Sequence, residues 1–225
     1  MWRSGRLAAC GAVFAAALVG SAGPGGAQEL TRLYAPKPPA GSAYVRVVDL
    51  SRSGALIGFD AGSGVAAAQG EPATLYRIVK GGAPLSLTLA GKPVKGAVTP
   101  PADAFSTIVI GAGGNAVLIP DSTEGRNDLK AQLRVYNLVP GCAGAVAVAE
   151  GPTVFDAVAT NETRQRAINP IEATLVGRCG AASTAPLKLP PLKAGDHYSL
   201  FLVPGPDGVV LAGQRDETEP YRGPN

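Results

Sequence analysis

No stretch of this chain keeps a helical period for more than a turn or two beyond its first 27 residues. Its apolar residues come instead in short β-type runs, each cut off by Gly or Pro within a few positions. Gly (30) and Pro (20) supply the interruptions: one adopts positive φ freely, the other fixes φ and removes a backbone donor, and neither propagates a helix. Short strands at close spacing between such turns predict an all-β chain of the sandwich or barrel type. In the run 85–89, Leu85, Leu87 and Leu89 fall on one face and Ser86 and Thr88 on the other, the period of a half-buried strand. The runs 105–110 and 116–119, separated by Gly-Ala-Gly-Gly-Asn, read as a hairpin.

The second half repeats the first. Val45-Arg46-Val47-Val48-Asp49-Leu50 matches Leu133-Arg134-Val135-Tyr136-Asn137-Leu138, with the single Arg at the same strand position. Phe105-Ser106-Thr107-Ile108-Val109-Ile110 recurs as Tyr198-Ser199-Leu200-Phe201-Leu202-Val203, and the run 116–119 finds its counterpart in 209–212. Three matches in the same order predict two tandem small antiparallel β-sandwich domains, at 28–120 and 131–213. The polar stretch 121–130 reads as a short linker and 214–225 as a flexible tail.

The chain opens on an export signal. Arg3 and Arg6 precede an uncharged run over 7–22, and small residues at Gly25 and Ala27 place the cleavage site after Ala27. That run is interrupted by Gly11 and Gly20 and is too short to span a bilayer, which takes about 20 mainly apolar residues. Lys and Arg total 20 against 17 Asp and Glu, so losing Arg3 and Arg6 leaves the exported chain nearly neutral. With no basic cluster interleaved with aromatics, nothing predicts a nucleic-acid partner. Cys10 leaves with the signal, and Cys142 and Cys179 remain as an even pair in an oxidising compartment, which predicts a disulfide between them. The alternative is two buried free thiols.

Raw material for catalysis is scarce. His197 is the only His and opens a strand beside Asp196 and Ser199. Neighbouring strand residues point to opposite faces, so Asp196 and His197 diverge and no triad forms locally. Gly-x-Ser-x-Gly is absent, and the two remaining Cys have neither zinc spacing nor a nearby His. Asp121, Glu124 and Asp128 are too few for a calcium loop. The expectation is a strand-start His, no metal, no cofactor and no catalytic residue. Sugar recognition takes an exposed aromatic platform beside hydrogen-bonding groups. Tyr34, Arg46 and Arg134 are the candidate binding residues.

The segments Leu33-Tyr34-Ala35-Pro36-Lys37-Pro38-Pro39-Ala40-Gly41-Ser42-Ala43-Tyr44-Val45-Arg46-Val47-Val48, Leu133-Arg134-Val135-Tyr136-Asn137-Leu138 and Ile168-Asn169-Pro170 resemble the alginate O-acetylation protein AlgF family. The resemblance implies a periplasmic two-domain β-sandwich protein required for O-acetylation of alginate or a related exopolysaccharide. It further implies a non-catalytic adaptor that works with a membrane-bound O-acyltransferase and periplasmic acetyltransferases. The competing expectation is a carbohydrate-binding module that holds the polysaccharide during modification.

Overall fold

The computed structural model describes residues 37–60 and 64–221. The export signal, Tyr34 and the last four residues lie outside this range. Among the described residues there is no helix. The first half contributes β1 (Ser42–Asp49), β2 (Ile57–Phe59), β3 (Arg77–Lys80), β4 (Leu87–Leu89), β5 (Lys92–Pro93), β6 (Phe105–Ile110) and β7 (Ala116–Asp121). The second half contributes β8 (Ala131–Asn137), β9 (Gly144–Val148), β10 (Thr153–Val158), β11 (Glu162–Ile168), β12 (Thr174–Cys179), β13 (Ala182–Ser183), β14 (Leu187–Lys188), β15 (His197–Gly205) and β16 (Gly208–Arg215). The all-β expectation holds, including the β6–β7 hairpin closed by a turn with Gly114 at positive φ.

Two four-stranded sheets have the same topology, β3-β1-β6-β7 and β11-β8-β15-β16. In each, the central pair is parallel, β1 with β6 and β8 with β15, and both outer pairs are antiparallel. A smaller sheet, β2-β4-β5, packs on the first, around a core that includes Val45, Val47, Ile108 and Ile110. A five-stranded sheet containing β9, β10 and β12 packs on the second, around Leu133, Val135, Leu200 and Leu202. Cys142 and Cys179 form the expected disulfide, with Cα atoms 5.7 Å apart, at the edge of that second core.

A third apolar cluster lies between the two four-stranded sheets. Val48, Val109 and Ile119 from the first half meet Tyr136, Phe201 and Val203 from the second. Strand alternation makes this possible: Val45 and Val47 face one core while Arg46 and Val48 face the other way. Both halves accordingly fall within one compact unit.

Strand register refines the repeat. Arg46 is paired with Thr107, and Arg134 with Ser199, so Phe105 is equivalent to His197, one residue before the Tyr198 that sequence similarity suggested. Ala116 likewise corresponds to Leu211, because these residues pair with the equivalent Ile110 and Leu202. A one-residue slip exchanges the faces of a strand, and Tyr198 does belong to the second core and not to the central layer. Counting on from these pairs, Asp121 is equivalent to Asp216, which donates its backbone N–H to the His197 carbonyl just as Asp121 pairs with Phe105.

Candidate functional site

The central layer carries a buried polar network at one end. Arg46 is wholly buried, and each of its guanidinium nitrogens is engaged. Nε donates to Thr107 Oγ1 at 2.9 Å and Nη1 to Asp216 Oδ1 at 2.6 Å, while Nη2 donates to Tyr136 Oη at 2.8 Å and Ser199 Oγ at 2.7 Å. The rings of Tyr76, Tyr136 and Phe201 surround the guanidinium carbon at 4.6, 5.2 and 5.0 Å, adding cation–π attraction where burial shields the charge from bulk solvent. Asp121 accepts from Tyr76 Oη at 2.7 Å, Thr107 Oγ1 at 2.8 Å and Tyr136 Oη at 2.6 Å.

Charge is matched within this cluster. Burial alone would lower the pKa of Arg46, but Asp216 and then Tyr136, Tyr76 and Asp121 outweigh it and hold the pKa well above the ordinary arginine value. Burial raises both tyrosines, Tyr76 strongly, against the opposing pull of Arg46. The two phenols thus keep their protons at neutral pH and donate them to Asp121.

Arg134 occupies the position of Arg46 in the second half but has other surroundings. Its Nη2 donates to the Ser122 carbonyl and, at 2.8 Å, to Gln165 Oε1. Its Nη1 lies 3.5 Å from Tyr136 Oη and 4.0 Å from Asp216, a looser hold than any bond of Arg46. Beside it opens a cavity of about 230 Å³ whose lining includes Gln132, Gln165, His197, Tyr76 and Phe105. Ser122 to Glu124 and Thr218 line it as well.

The segments read as linker and tail take part in both structures. Asp121 ends β7 and is buried, and Gln214 lies in β16, where it accepts from the Ala73 amide at 3.0 Å. Beyond Arg215 the chain crosses to the first half: Tyr76 N–H donates to the Glu217 carbonyl and Glu219 N–H to the Tyr76 carbonyl, with Arg77 and Glu219 paired at 3.2 Å. A polar sequence folds here because its backbone extends the edge of β3 and its carboxylate neutralises Arg46. From Gln214 to Glu219 the chain is a clasp on the first half, where composition alone suggested a free tail.

Of the sequence candidates, Arg46 is sealed inside this network and exposes no surface to a ligand, whereas Arg134 reaches the cavity. His197 begins β15 as expected, half-buried on the cavity wall, and burial, with Arg126 and Arg134, lowers its pKa against the opposing charges of Asp216 and Asp128. Asp196 turns away to pair with Arg215. Sequence reasoning missed Asp121, Asp216, Gln132 and Gln165; the signal for Asp121 and Asp216 was the repeat itself, once carried past the strand ends. Among the described residues, no group of three or more His, Cys, Asp and Glu is arranged to hold a metal.

A family described as Alginate O-acetyl transferase AlgF matches residues 16–199. The chain belongs to the AlgF family. Membership assigns it to alginate O-acetylation, as the resemblance of its three segments implied. Among solved structures it is similar to the C-terminal domain of AlgF from P. aeruginosa, at 25% identity over 39% of this chain and 98% of that one, with a TM-score of 0.35. A family 26 carbohydrate-binding module from Eubacterium rectale Amy13K, solved with maltoheptaose, matches at 11% identity over 80% of this chain and 98% of that one, with a TM-score of 0.25. No curated protein matches the chain.

Proposed function

We propose that this member of the AlgF family is a non-catalytic periplasmic adaptor in alginate O-acetylation, linking the membrane-bound O-acyltransferase to periplasmic acetyltransferases. The supporting observation is how its polar side chains are used. Arg46, Asp121, Asp216, Tyr76 and Tyr136 bond one another across the central layer, which suits a rigid two-lobed platform and leaves no nucleophile–base pair among them. His197, the one imidazole, has no hydrogen bond to a Ser or Asp side chain within the described residues, whereas an acyl-transfer site needs its base held against the nucleophile. An adaptor needs a fixed distance between docking faces, and a shared core with buried charge pairs supplies it.

Deleting the gene and measuring ester-linked acetate on the exported polymer tests the role: acetylation is expected to disappear while polymer length persists. Co-purification of both transferase types with the wild-type chain tests the linkage. Unchanged acetylation in the deletion strain would overturn the reading. A second reading, a module that holds polysaccharide during modification, is favoured by the cavity beside Arg134.

A further inference from the structure

The two four-stranded sheets end in equivalent edge strands, β7 and β16, and treat them differently. In an antiparallel pair, successive residues of an edge strand turn their backbone N–H and C=O alternately toward the neighbour and away from it. Asp216 donates to the His197 carbonyl, so the backbone groups of Val210, Ala212 and Gln214 face β15 and those of Leu211, Gly213 and Arg215 turn outward. On β7, Gly111 donates to the Asn115 carbonyl across the hairpin, which leaves Ala116, Leu118 and Pro120 outward. That edge is closed at both ends: Ala116 N–H donates to the Lys95 carbonyl at 2.7 Å, and Pro120 has no N–H to offer. Their equivalents on β16 are Leu211 and Arg215. Neither of these, nor Gly213 between them, makes an outward backbone bond to a described residue.

A groove of about 1000 Å³ lies at this open edge. Gly213, Gln214 and Arg215 line it in succession, and since consecutive strand residues belong to opposite faces, the groove follows the edge of the sheet and not one face. Gly213 leaves room for the Tyr198 ring, with which a Cβ would collide, and that ring lines the groove too. Next to Gln214, the Ala73 amide donates to the Gln214 carboxamide, and the exposed side chain of Leu75 adds apolar wall. Arg215 donates to the Pro191 carbonyl, which sets Pro191 beside the other face.

Charge in the groove is uneven. Of its lining residues, Glu219 is paired with Arg77 and Arg215 with Asp196. Glu71 and Glu217 are exposed and form no ion pair with a described residue. They stand close enough to oppose one another: partial burial and then Glu217 raise the pKa of Glu71. Glu71 also reaches the field of Tyr198, whose phenol is raised by burial and then by Glu71 against the pull of Arg215. The remaining cation of the lining is Lys188, one charge against two.

We propose that the free edge of β16 takes an extended segment of a protein partner as a fifth strand of its sheet, with a Lys or Arg of that segment against Glu71 and Glu217 and apolar residues at alternate positions. Backbone bonds to Leu211, Gly213 and Arg215 supply the affinity, and the alternating side chains supply the selectivity. The outward positions from Leu211 to Arg215 span about 13 Å at about 3.3 Å per residue, which five residues of the incoming strand cover. A second copy of this chain would bring the same two carboxylates to the seam, so charge favours a basic partner of different sequence. The inference gives the adaptor reading a docking surface and rests on it for the partner being a protein.

Titrating the isotope-labelled exported chain with the peptide acetyl-Thr-Val-Lys-Val-Thr-Val-Thr-amide, and with its counterpart carrying Glu in place of Lys, tests the edge by NMR. The expected result with the Lys peptide is a saturable shift and slowed hydrogen exchange at the Leu211, Gly213 and Arg215 amides, with exchange at Val210 and Ala212 unchanged because they already bond β15. Glu71→Gln/Glu217→Gln should weaken binding about threefold to tenfold, the loss of two surface charge contacts. Arg215→Pro, which copies Pro120 and removes no ladder bond, should weaken it about fivefold, the loss of one backbone hydrogen bond. Should Arg215→Pro fail to fold, the double Gln variant, which alters only exposed side chains, carries the test. No saturable shift at millimolar peptide overturns the proposal, as does equal or tighter binding of the Glu peptide. Protection of the same amides that grows with protein concentration in the absence of peptide also overturns it and assigns the edge to a second copy of the chain. Binding is read on the isolated chain, so its failure leaves the adaptor reading standing, while the deletion experiment tests that reading whether or not the edge is occupied.

Discussion

Arg46 in β1 and Asp216, the residue after β16, meet at 2.6 Å although 170 positions separate them. This pair joins the first half of the chain to the segment that follows the last strand of the second, in surroundings where Arg46 has no exposed surface. Removing one partner of a buried ion pair leaves the other desolvated and uncompensated, at a cost of about 3–5 kcal/mol. Arg46→Met is expected to lower unfolding free energy by that amount in urea titrations. Arg46→Lys should recover only part of it, because an ammonium cannot serve Thr107, Asp216, Tyr136 and Ser199 with one planar fork. A loss below about 1 kcal/mol for Arg46→Met would mean that the halves are held by the apolar cluster alone.

The disulfide contributes by a different route. Cys142 and Cys179 close a loop with a sequence separation of 37, which restricts the unfolded chain by about 3–4 kcal/mol in the loop-entropy model. Cys142→Ser/Cys179→Ser should shift the urea midpoint downward by a matching amount, and reductant should do the same to the wild type and nothing to the double variant. Since both residues sit against the second core and not the central layer, the effect should add to that of Arg46→Met when the two are combined.

Gly81 is fixed by backbone crowding. A Cβ there would lie 2.5 Å from the Ala102 Cα and 2.6 Å from the Gly41 carbonyl oxygen, so neither obstacle is a side chain that can rotate away. Gly81→Ala is expected to cost about 1–3 kcal/mol, as overpacking does elsewhere, and Gly82→Ala, with nothing near its Cβ, serves as a comparison in which only the positive φ of 67° is strained. Equal stability of Gly81→Ala and wild type in thermal melts would show that the 41, 81 and 102 segments separate freely.

Strand placement was legible in the sequence because Leu85, Leu87 and Leu89 alternate with Ser86 and Thr88, and because the repeat carries its own periodicity. Arg46 and Arg134 stood out as lone cations in apolar strands, but a strand pattern states only that a side chain faces one way, not whether water or a second sheet lies there. The third apolar cluster supplied that second sheet. Register was misread by one residue at β15, since Phe105 and Tyr198 are alike in chemistry while Phe105 and His197 are alike in position. Asp216 looked like part of a polar tail because its partner is 170 residues away, and local composition has no access to such a contact.

His197 makes the stability of the fold depend on pH in one identifiable window. Burial, with Arg126 and Arg134, lowers its pKa in the folded chain below the ordinary value of 6.5. The unfolded chain therefore binds a proton first as pH falls, and stability declines through about 6.5 until the folded-state pKa is reached, below which the difference is constant. At neutral and higher pH the group contributes nothing to this term. Because no other His titrates there, His197→Gln should flatten the slope of unfolding free energy between about pH 7 and 5, the interval around the unperturbed imidazole value. Urea titrations at half-unit steps across that interval check it. An unchanged slope in the variant would place the imidazole in water in the folded chain, with no net influence from Arg126 and Arg134.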